Sequence, residues 1–271
     1  MTTSPVLIDA QLALDGRVAT LVLNRDDVRN ELTGTRLVDD IVATIDWINR
    51  NETVSVLILT GAGSAFSAGG NVKHMLQREG SFGGDVDTVQ KKYREGIQRM
   101  ALAMHRVEVP VIAAINGPAI GAGFDLACMC DIRIAAPSAI MGETFINLGI
   151  IPGDGGAWFL QRLIGYQRAA ELTFTGRLLK AEEAKAIGIV LDVAPEGQLP
   201  VYARKIADDM AGKPPQALRL TKRLMKSAQR MELPDFLELC AVFQGMCHNT
   251  SDHIEAVTAF LEKRSPEFSG H

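Results

Sequence analysis

The chain lacks any apolar run long enough to cross a membrane. Its longest runs, such as 111–115 and 132–136, fall far short of the roughly 20 residues that a spanning helix needs. It also lacks blocks of like charge and any excess of cations: 28 Lys and Arg stand against 32 Asp and Glu, a formal net charge of −4 with a pI near 5.8. That excludes the basic stripe of a nucleic-acid surface, so an anionic ligand has to be held locally. Cysteine is scarce, with only Cys128, Cys130, Cys240 and Cys247. In Cys128-Met129-Cys130 the spacing is one residue rather than two and the neighbours are apolar, which predicts buried structural thiols rather than metal ligands. The five histidines are scattered, and His248 and His253 lie five apart rather than on one helix face, so both read as surface residues and no metal is expected. Met1-Thr2-Thr3-Ser4-Pro5 lacks the basic stretch and apolar core of a secretory leader, so a cytoplasmic protein with reduced thiols is expected.

What is present is an ordinary folded composition, 47% hydrophobic and 22% charged over 271 residues, which suits one large domain or one domain with a small appendage. A chain this long buries about three quarters of its unfolded surface and needs no staple. Residues 6–14 and 17–23 read as strands joined at Asp15-Gly16, a strong hairpin signal. Thr33 is placed to cap a helix in which Leu37, Ile41, Ile45 and Ile48 recur at helical spacing, followed by an apolar strand at 54–59. The rhythm repeats with a glycine-rich loop at 61–70, a helical stretch at 88–107, a strand at 110–115, a glycine turn at 117–123 and a strand at 131–136. Buried strands alternating with helices imply an α/β core. From about 155 onward the pattern is helical, near 155–164, 181–187, 199–211, 215–229, 234–247 and 252–263. The glycine-rich, polar segment 79–87 reads as a mobile flap, and no repeat of fixed period is present.

Two familiar motifs fail on inspection. Gly61-Ala62-Gly63-Ser64-Ala65-Phe66 follows a strand, but Phe66 stands where a dinucleotide fingerprint needs its third glycine. Ala65-Phe66-Ser67-Ala68-Gly69 approaches a nucleophile elbow, yet Ala65 replaces the first glycine and no His-Gly-Gly segment lies upstream, leaving serine hydrolysis as a secondary reading. What remains is a pair of glycine-rich turns, Phe66-Ser67-Ala68-Gly69-Gly70-Asn71 and Asn116-Gly117-Pro118-Ala119-Ile120-Gly121-Ala122-Gly123-Phe124-Asp125, each after a buried strand and before a helix. A helix start offers unpaired N–H groups, and small residues let a carbonyl approach them. Either turn alone is explained by glycine's freedom in tight turns. Two of them converging make an oxyanion hole.

With these segments in view the sequence resembles the crotonase superfamily, the enoyl-CoA hydratase/isomerase family, over nearly its whole length. The resemblance is carried by Asn24-Arg25 with Asn30, by the two turns, by Val111-Ile112-Ala113-Ala114-Ile115-Asn116-Gly117, by Cys130-Asp131-Ile132-Arg133, by Leu148-Gly149-Ile150-Ile151-Pro152-Gly153-Asp154-Gly155-Gly156, and by Ala259-Phe260-Leu261-Glu262-Lys263-Arg264. It implies an α/β fold, a crotonase-like spiral of ββα turns over 1–200 with a helical, trimer-forming region over 201–271, assembled as a homo-trimer or hexamer. It implies an acyl-CoA thioester as the partner, with coenzyme A entering as part of the substrate, no further cofactor, and neither nucleic acid nor membrane. By position the resemblance gives the oxyanion-hole amides to Ala68 and Ala122, with Gly69, Gly70 and Asn71 lining the CoA side and Gly121 also among the substrate-binding residues. Arg25, Arg29, Lys73 and Lys263 are then the candidate cations for the adenosine phosphates, ordinary solvated charge being the alternative.

Family hydratases hold a water between two glutamates. Here the first position carries Asp125 and the second Phe145. Phenylalanine cannot handle a proton, so Glu143, two residues earlier, and Asp154, in the following turn, are the carboxylates able to restore a pair. Their plain alternatives are an exposed turn residue for Glu143, a helix N-cap for Asp154 and a helix-start acid for Asp125. The leading expectation is enolate-stabilising hydratase or isomerase chemistry with Asp125 as the main proton-handling group. A hydrolase or decarboxylase whose substrate packs against Phe145 and Trp158, or a non-catalytic acyl-CoA binder, are the alternatives.

Overall fold

The structure is a computed structural model describing residues 3–270; Met1 and Thr2, where the segment read for a leader begins, and His271 lie outside it. Asp15-Gly16 turns the chain between β1 (Ala10–Asp15) and β2 (Val18–Leu23), with Gly16 at φ +60°. The remaining strands are β3 (Val56–Gly61), β4 (Val111–Ile115), β5 (Ala119–Ile120), β6 (Ile132–Ala135), β7 (Ile140–Gly142), β8 (Leu179–Lys180) and β9 (Asp192–Val193). Six form the main sheet in the order β1-β2-β3-β4-β6-β9, parallel from β2 onward, and β5-β7-β8 form a small second sheet.

The helices are α1 (Leu37–Arg50), α2 (Val72–Gln77), α3 (Val86–Glu95), α4 (Ile97–Arg106), α5 (Ala122–Cys128), α6 (Gly156–Ile164), α7 (Tyr166–Thr175), α8 (Ala181–Ala186), α9 (Leu199–Ala211), α10 (Pro215–Ala228), α11 (Leu233–His248) and α12 (Ser251–Glu262). Side chains alternate across a strand, so β3 sends Leu57 and Leu59 into the larger core with Ile41, Ile45 and Ile48 of α1. It sends Val56 and Ile58 to the opposite face, under Leu199, Ala203 and Ala207 of α9. β4 splits in the same way, with Ala113 and Ile115 on the first face and Ile112 and Ala114 on the second. Each fully buried aliphatic side chain contributes about 1.5–3 kcal/mol relative to exposure. Burial on both faces explains why these strands read as unbroken apolar runs. The tail beyond residue 200 is helical, and among the described residues no helix is long and apolar enough to cross a membrane.

Four details differ from the sequence reading. α1 begins at Leu37 rather than after a Thr33 cap, because Gly34, at φ +87°, bends the chain and the Thr33 hydroxyl instead accepts from the Asn71 amide at 2.8 Å. The stretch expected as one helix over 88–107 is two, α3 and α4, interrupted at Gly96 with φ −107° and ψ −112°. α7 follows α6 directly after Gly165, where only one helix was expected. The segment 79–87 holds a 3₁₀ turn at Gly80–Phe82 and the first residues of α3. Lys92 Nζ ties it down by donating to the Gly80 and Gly83 carbonyls at 2.7 and 2.8 Å. Cys128 and Cys130 are buried thiols, pushed up to about 12 by burial.

Candidate active site

The tip of the site is built by a turn forty residues away. Residues 25–30 form a 3₁₀ turn ending in Arg29 and Asn30, both left-handed at φ +52° and +54°, a conformation that asparagine tolerates better than most residues. The buried Asn30 amide donates to the Ala62 and Ala65 carbonyls at 3.0 and 2.8 Å and accepts from the Arg25 amide at 2.7 Å. Its carbonyl accepts from the Ser67 hydroxyl at 2.7 Å, and the Arg29 carbonyl accepts from the Ala68 amide at 2.9 Å. The chain at 65–69 is thereby laid against this turn.

The second glycine turn is laid against the first. Ser67 pairs with Ala119 in a parallel bridge, and Ile120 N–H donates to the Ser67 carbonyl at 3.0 Å. The approach is close enough to require glycine: a Cβ on Gly69, at φ +79°, would lie 2.4 Å from the Ile120 oxygen and 3.0 Å from the Ala122 nitrogen. One on Gly123 would lie 2.2 Å from the Ser67 oxygen.

One of the two amides expected to face the ligand is engaged elsewhere. The Ala68 N–H is consumed by the Arg29 carbonyl, so it does not point into open space. The unpaired amides are those of Gly70 and Ala122, which have no protein acceptor among the described residues, and both residues line one narrow cavity of about 40 Å³. A single residue separates Ala68 from Gly70, and that residue, the left-handed Gly69, reverses the amide direction. A sequence scan finds the turn but not which nitrogen faces inward.

The acids come together more fully than expected. Asp125 on α5, Glu143 after β7 and Asp154 before α6 are all buried, and the Asp125 carboxyl meets both others at hydrogen-bonding range. Glu143 is not an exposed turn residue, because its carboxylate accepts from the Thr173 hydroxyl of α7. Asp154 is not an N-cap, because α6 starts after Gly155 with no side-chain cap bond. Burial, then the neighbouring Asp154 and Glu143, hold the Asp125 carboxyl well above its ordinary range. Burial also raises Glu143, against the pull of Thr173, and raises Asp154, against the pull of its bond with Asp125.

Of the three acids, Asp154 lines the cavity, together with Thr33, Met75, Phe82, Tyr93 and Phe145. Phe145 takes the expected position of a second carboxylate, its ring 3.7 Å from where a Gly121 Cβ would stand. Tyr93 was not picked out from the sequence, and Gly156 only as the end of a segment that carries the resemblance. The Tyr93 phenol is raised by burial and by Asp154 nearby, and a Cβ on Gly156 would fall on the Asp125 carboxyl. Met75, Phe82, Tyr93 and Ile150 also wall an adjoining apolar groove of about 450 Å³.

The expected phosphate cations divide. Arg29 and Lys73 are exposed beside the two turns, whereas Arg25 is paired with Asp9 and Asp27. Asn71 caps α2 by accepting from the His74 amide at 3.0 Å. Lys263, exposed, ends α12 in a left-handed conformation. Trp158 does not line this cavity. It lies in a separate cleft under the Arg162 guanidinium, 3.8 Å from the ring centroid.

Two amides without a protein acceptor, at a cavity backed by buried carboxyls, form a site suited to polarising a carbonyl and moving a proton next to it, the work of an enzyme. Comparison with known proteins agrees. The family model described as enoyl-CoA hydratase/isomerase matches residues 14–271. A short-chain-enoyl-CoA hydratase of Clostridium acetobutylicum is 36% identical over 258 residues, 94% of this chain and 95% of its own. A 1,2-epoxyphenylacetyl-CoA isomerase of Escherichia coli is 35% identical over 254 residues, 93% of this chain and 95% of its own. The crystal structure of an enoyl-CoA hydratase from Bacillus anthracis superposes with a TM-score of 0.90 at 36% identity, covering 97% of this chain and all of that one. The chain belongs to the enoyl-CoA hydratase/isomerase family.

Proposed function

We propose that this enzyme moves a carbon–carbon double bond within an acyl-CoA thioester, using Asp154 as a single proton shuttle. The observation that carries the reading is the asymmetry at the cavity: one carboxyl, Asp154, reaches it, and the apolar Phe145 stands where a second would hold water. Hydration needs a water gripped and deprotonated beside the β-carbon, whereas isomerisation needs one base that takes a proton and returns it elsewhere.

Asp154 removes a proton from the α-carbon of a 3-enoyl thioester: the C–H bond breaks, an O–H bond forms on Asp154, and the electron pair spreads onto the thioester oxygen. The Gly70 and Ala122 N–H groups hold that oxygen, an arrangement worth about 10²–10³ in rate per donor. Asp154 then gives the proton to the γ-carbon, the enolate electrons return, and a 2-enoyl thioester results. Apolar walls at Met75, Phe82 and Ile150 suit an acyl chain, and the exposed Arg29 and Lys73 suit the phosphates of its carrier.

The test compares 3-enoyl-CoA isomerisation, followed by the absorbance of the conjugated thioester, with crotonyl-CoA hydration. Isomerisation should be the faster, and Asp154→Asn should lower it by about 10²–10⁴-fold. Faster hydration, or an Asp154→Asn enzyme of near wild-type rate, removes the reading.

A further inference from the structure

The shuttle uses one carboxyl, yet three are buried together, and their hydrogen-bond accounting does not close if all are ionised. Both oxygens of Asp125, both of Asp154 and Oε1 of Glu143 are buried with no donor among the described residues. Only Oε2 of Glu143 is served, by Thr173. A buried acceptor without a donor is costly, more so when charged, and carboxylates sharing one site cannot all hold a charge.

The surroundings offer no relief. Asp125 faces Asp154 from the turn before α6, Glu143 from the end of β7, Cys128 along its own helix, and the bare Gly156 backbone. Asp154 faces Tyr93 from α3. Thr173 of α7 reaches only Glu143. The cation beside Cys128, Arg133, is committed to the Cys130 and Ile189 carbonyls, both at 2.6 Å. Among the described residues, apart from the main-chain N–H of Asp154, which favours the ionised form of that residue, the only protons that can satisfy these oxygens are those the carboxyls carry themselves. Asp125 is the member in contact with both others, it is fully buried, and it does not line the cavity.

We infer that Asp125 rests as a neutral carboxylic acid that donates its proton in a hydrogen bond to Asp154, leaving Asp154 as the ionised group on the substrate side. Asp125, at the position where the sequence reading put the main base, is then a positioning residue: it orients Asp154, spares it a neighbouring negative charge, and does not touch substrate. This rests on the proposed function in one respect, that Asp154 is the group facing the thioester.

Asparagine matches the shape of the neutral acid and still donates from its NH₂, whereas alanine does neither. The first measurement is infrared spectroscopy of the resting enzyme at neutral pH. The wild type should show the C=O stretch of a buried protonated carboxyl, absent from Asp125→Asn. The second is wash-in of deuterium at the α-carbon of butyryl-CoA in D₂O, which needs only carbonyl polarisation and a base. Asp125→Ala should slow exchange by about 10²-fold, the cost of a misplaced catalytic group, and Asp125→Asn should recover to within about tenfold of wild type, since its donor is retained. The wild-type exchange rate should rise and then fall with pH, the fall marking loss of the Asp125 proton, and the alkaline fall should vanish in Asp125→Asn.

Absence of the infrared band, an Asp125→Asn enzyme as slow as Asp125→Ala, or an alkaline limb that persists in Asp125→Asn each overturns the inference. A band present in wild type and lost in Asp125→Asn, in an enzyme that exchanges no deuterium at all, upholds the neutral acid and refutes the proposed chemistry instead.

Discussion

Gly156 opens α6 without a side chain, and the reason is on the neighbouring helix. A Cβ at this position would lie 2.2 Å from Oδ2 of Asp125 and 2.3 Å from both Cγ and Oδ1, so Gly156→Ala forces the carboxyl or the start of α6 to move by about 1 Å. Helix propensity alone favours the substitution by about 1 kcal/mol. Crowding in a packed interior opposes it by about 1–3 kcal/mol, and the displaced Asp125 carboxyl would carry its neighbour Asp154 out of line, a misplacement that costs about 10²-fold in turnover. The clash is with one side chain, which makes the reasoning testable by a double-mutant cycle in urea denaturation. In an Asp125→Ala background the three crowding atoms are gone, and Gly156→Ala should become neutral or stabilising by up to about 1 kcal/mol. The coupling between the two sites should therefore reach about 1–3 kcal/mol. Equal destabilisation in both backgrounds would show that the glycine serves the backbone of the turn rather than the carboxyl.

Three further outcomes follow from the same geometry. Ala122 occupies the first position of α5, where proline is tolerated, so Ala122→Pro should remove one carbonyl donor and lower turnover by about 10²–10³-fold with little change in the urea midpoint; an enzyme of undiminished rate would clear this amide of any role. Asp125, Glu143 and Asp154 are all raised in the fold, so the stability they contribute is complete below the ordinary carboxylate range and is lost as pH rises through their raised values. The wild-type melting temperature should fall towards alkaline pH, more steeply than that of Asp125→Asn, and identical slopes in scanning calorimetry would contradict this. Phe145→Glu puts a second carboxylate at the cavity and should raise crotonyl-CoA hydration relative to isomerisation; no gain from a folded variant that still binds CoA esters would mean the pocket is shaped for other chemistry.

The parts of this molecule legible in the sequence are those fixed by local rules. Asp15-Gly16 announces a hairpin because both residues suit its turn, and the unbroken apolar runs at β3 and β4 announce strands covered on both faces. The glycines at 69 and 123 mark close approach, which the structure shows to be the approach of one turn to the other. What escaped depends on distant partners. Whether the amide of residue 68 or of residue 70 is free is decided by the Arg29 carbonyl, supplied by a turn that nothing near residue 68 reveals. Glu143 is left between an acid of the site and an exposed turn residue until α7 brings Thr173 to it. Trp158 follows Asp154 by four residues, but the two go to different clefts because α6 begins between them.

The hydrogen bonds that hold the first glycine turn come from the main chain of Arg29 and from Asn30, while the Arg29 side chain lies outside in solvent. One short peptide thus separates scaffold from surface. Replacing that guanidinium leaves every scaffold bond intact, so the outer rim is free to adapt to a different ligand tail while the amides beneath it keep their aim.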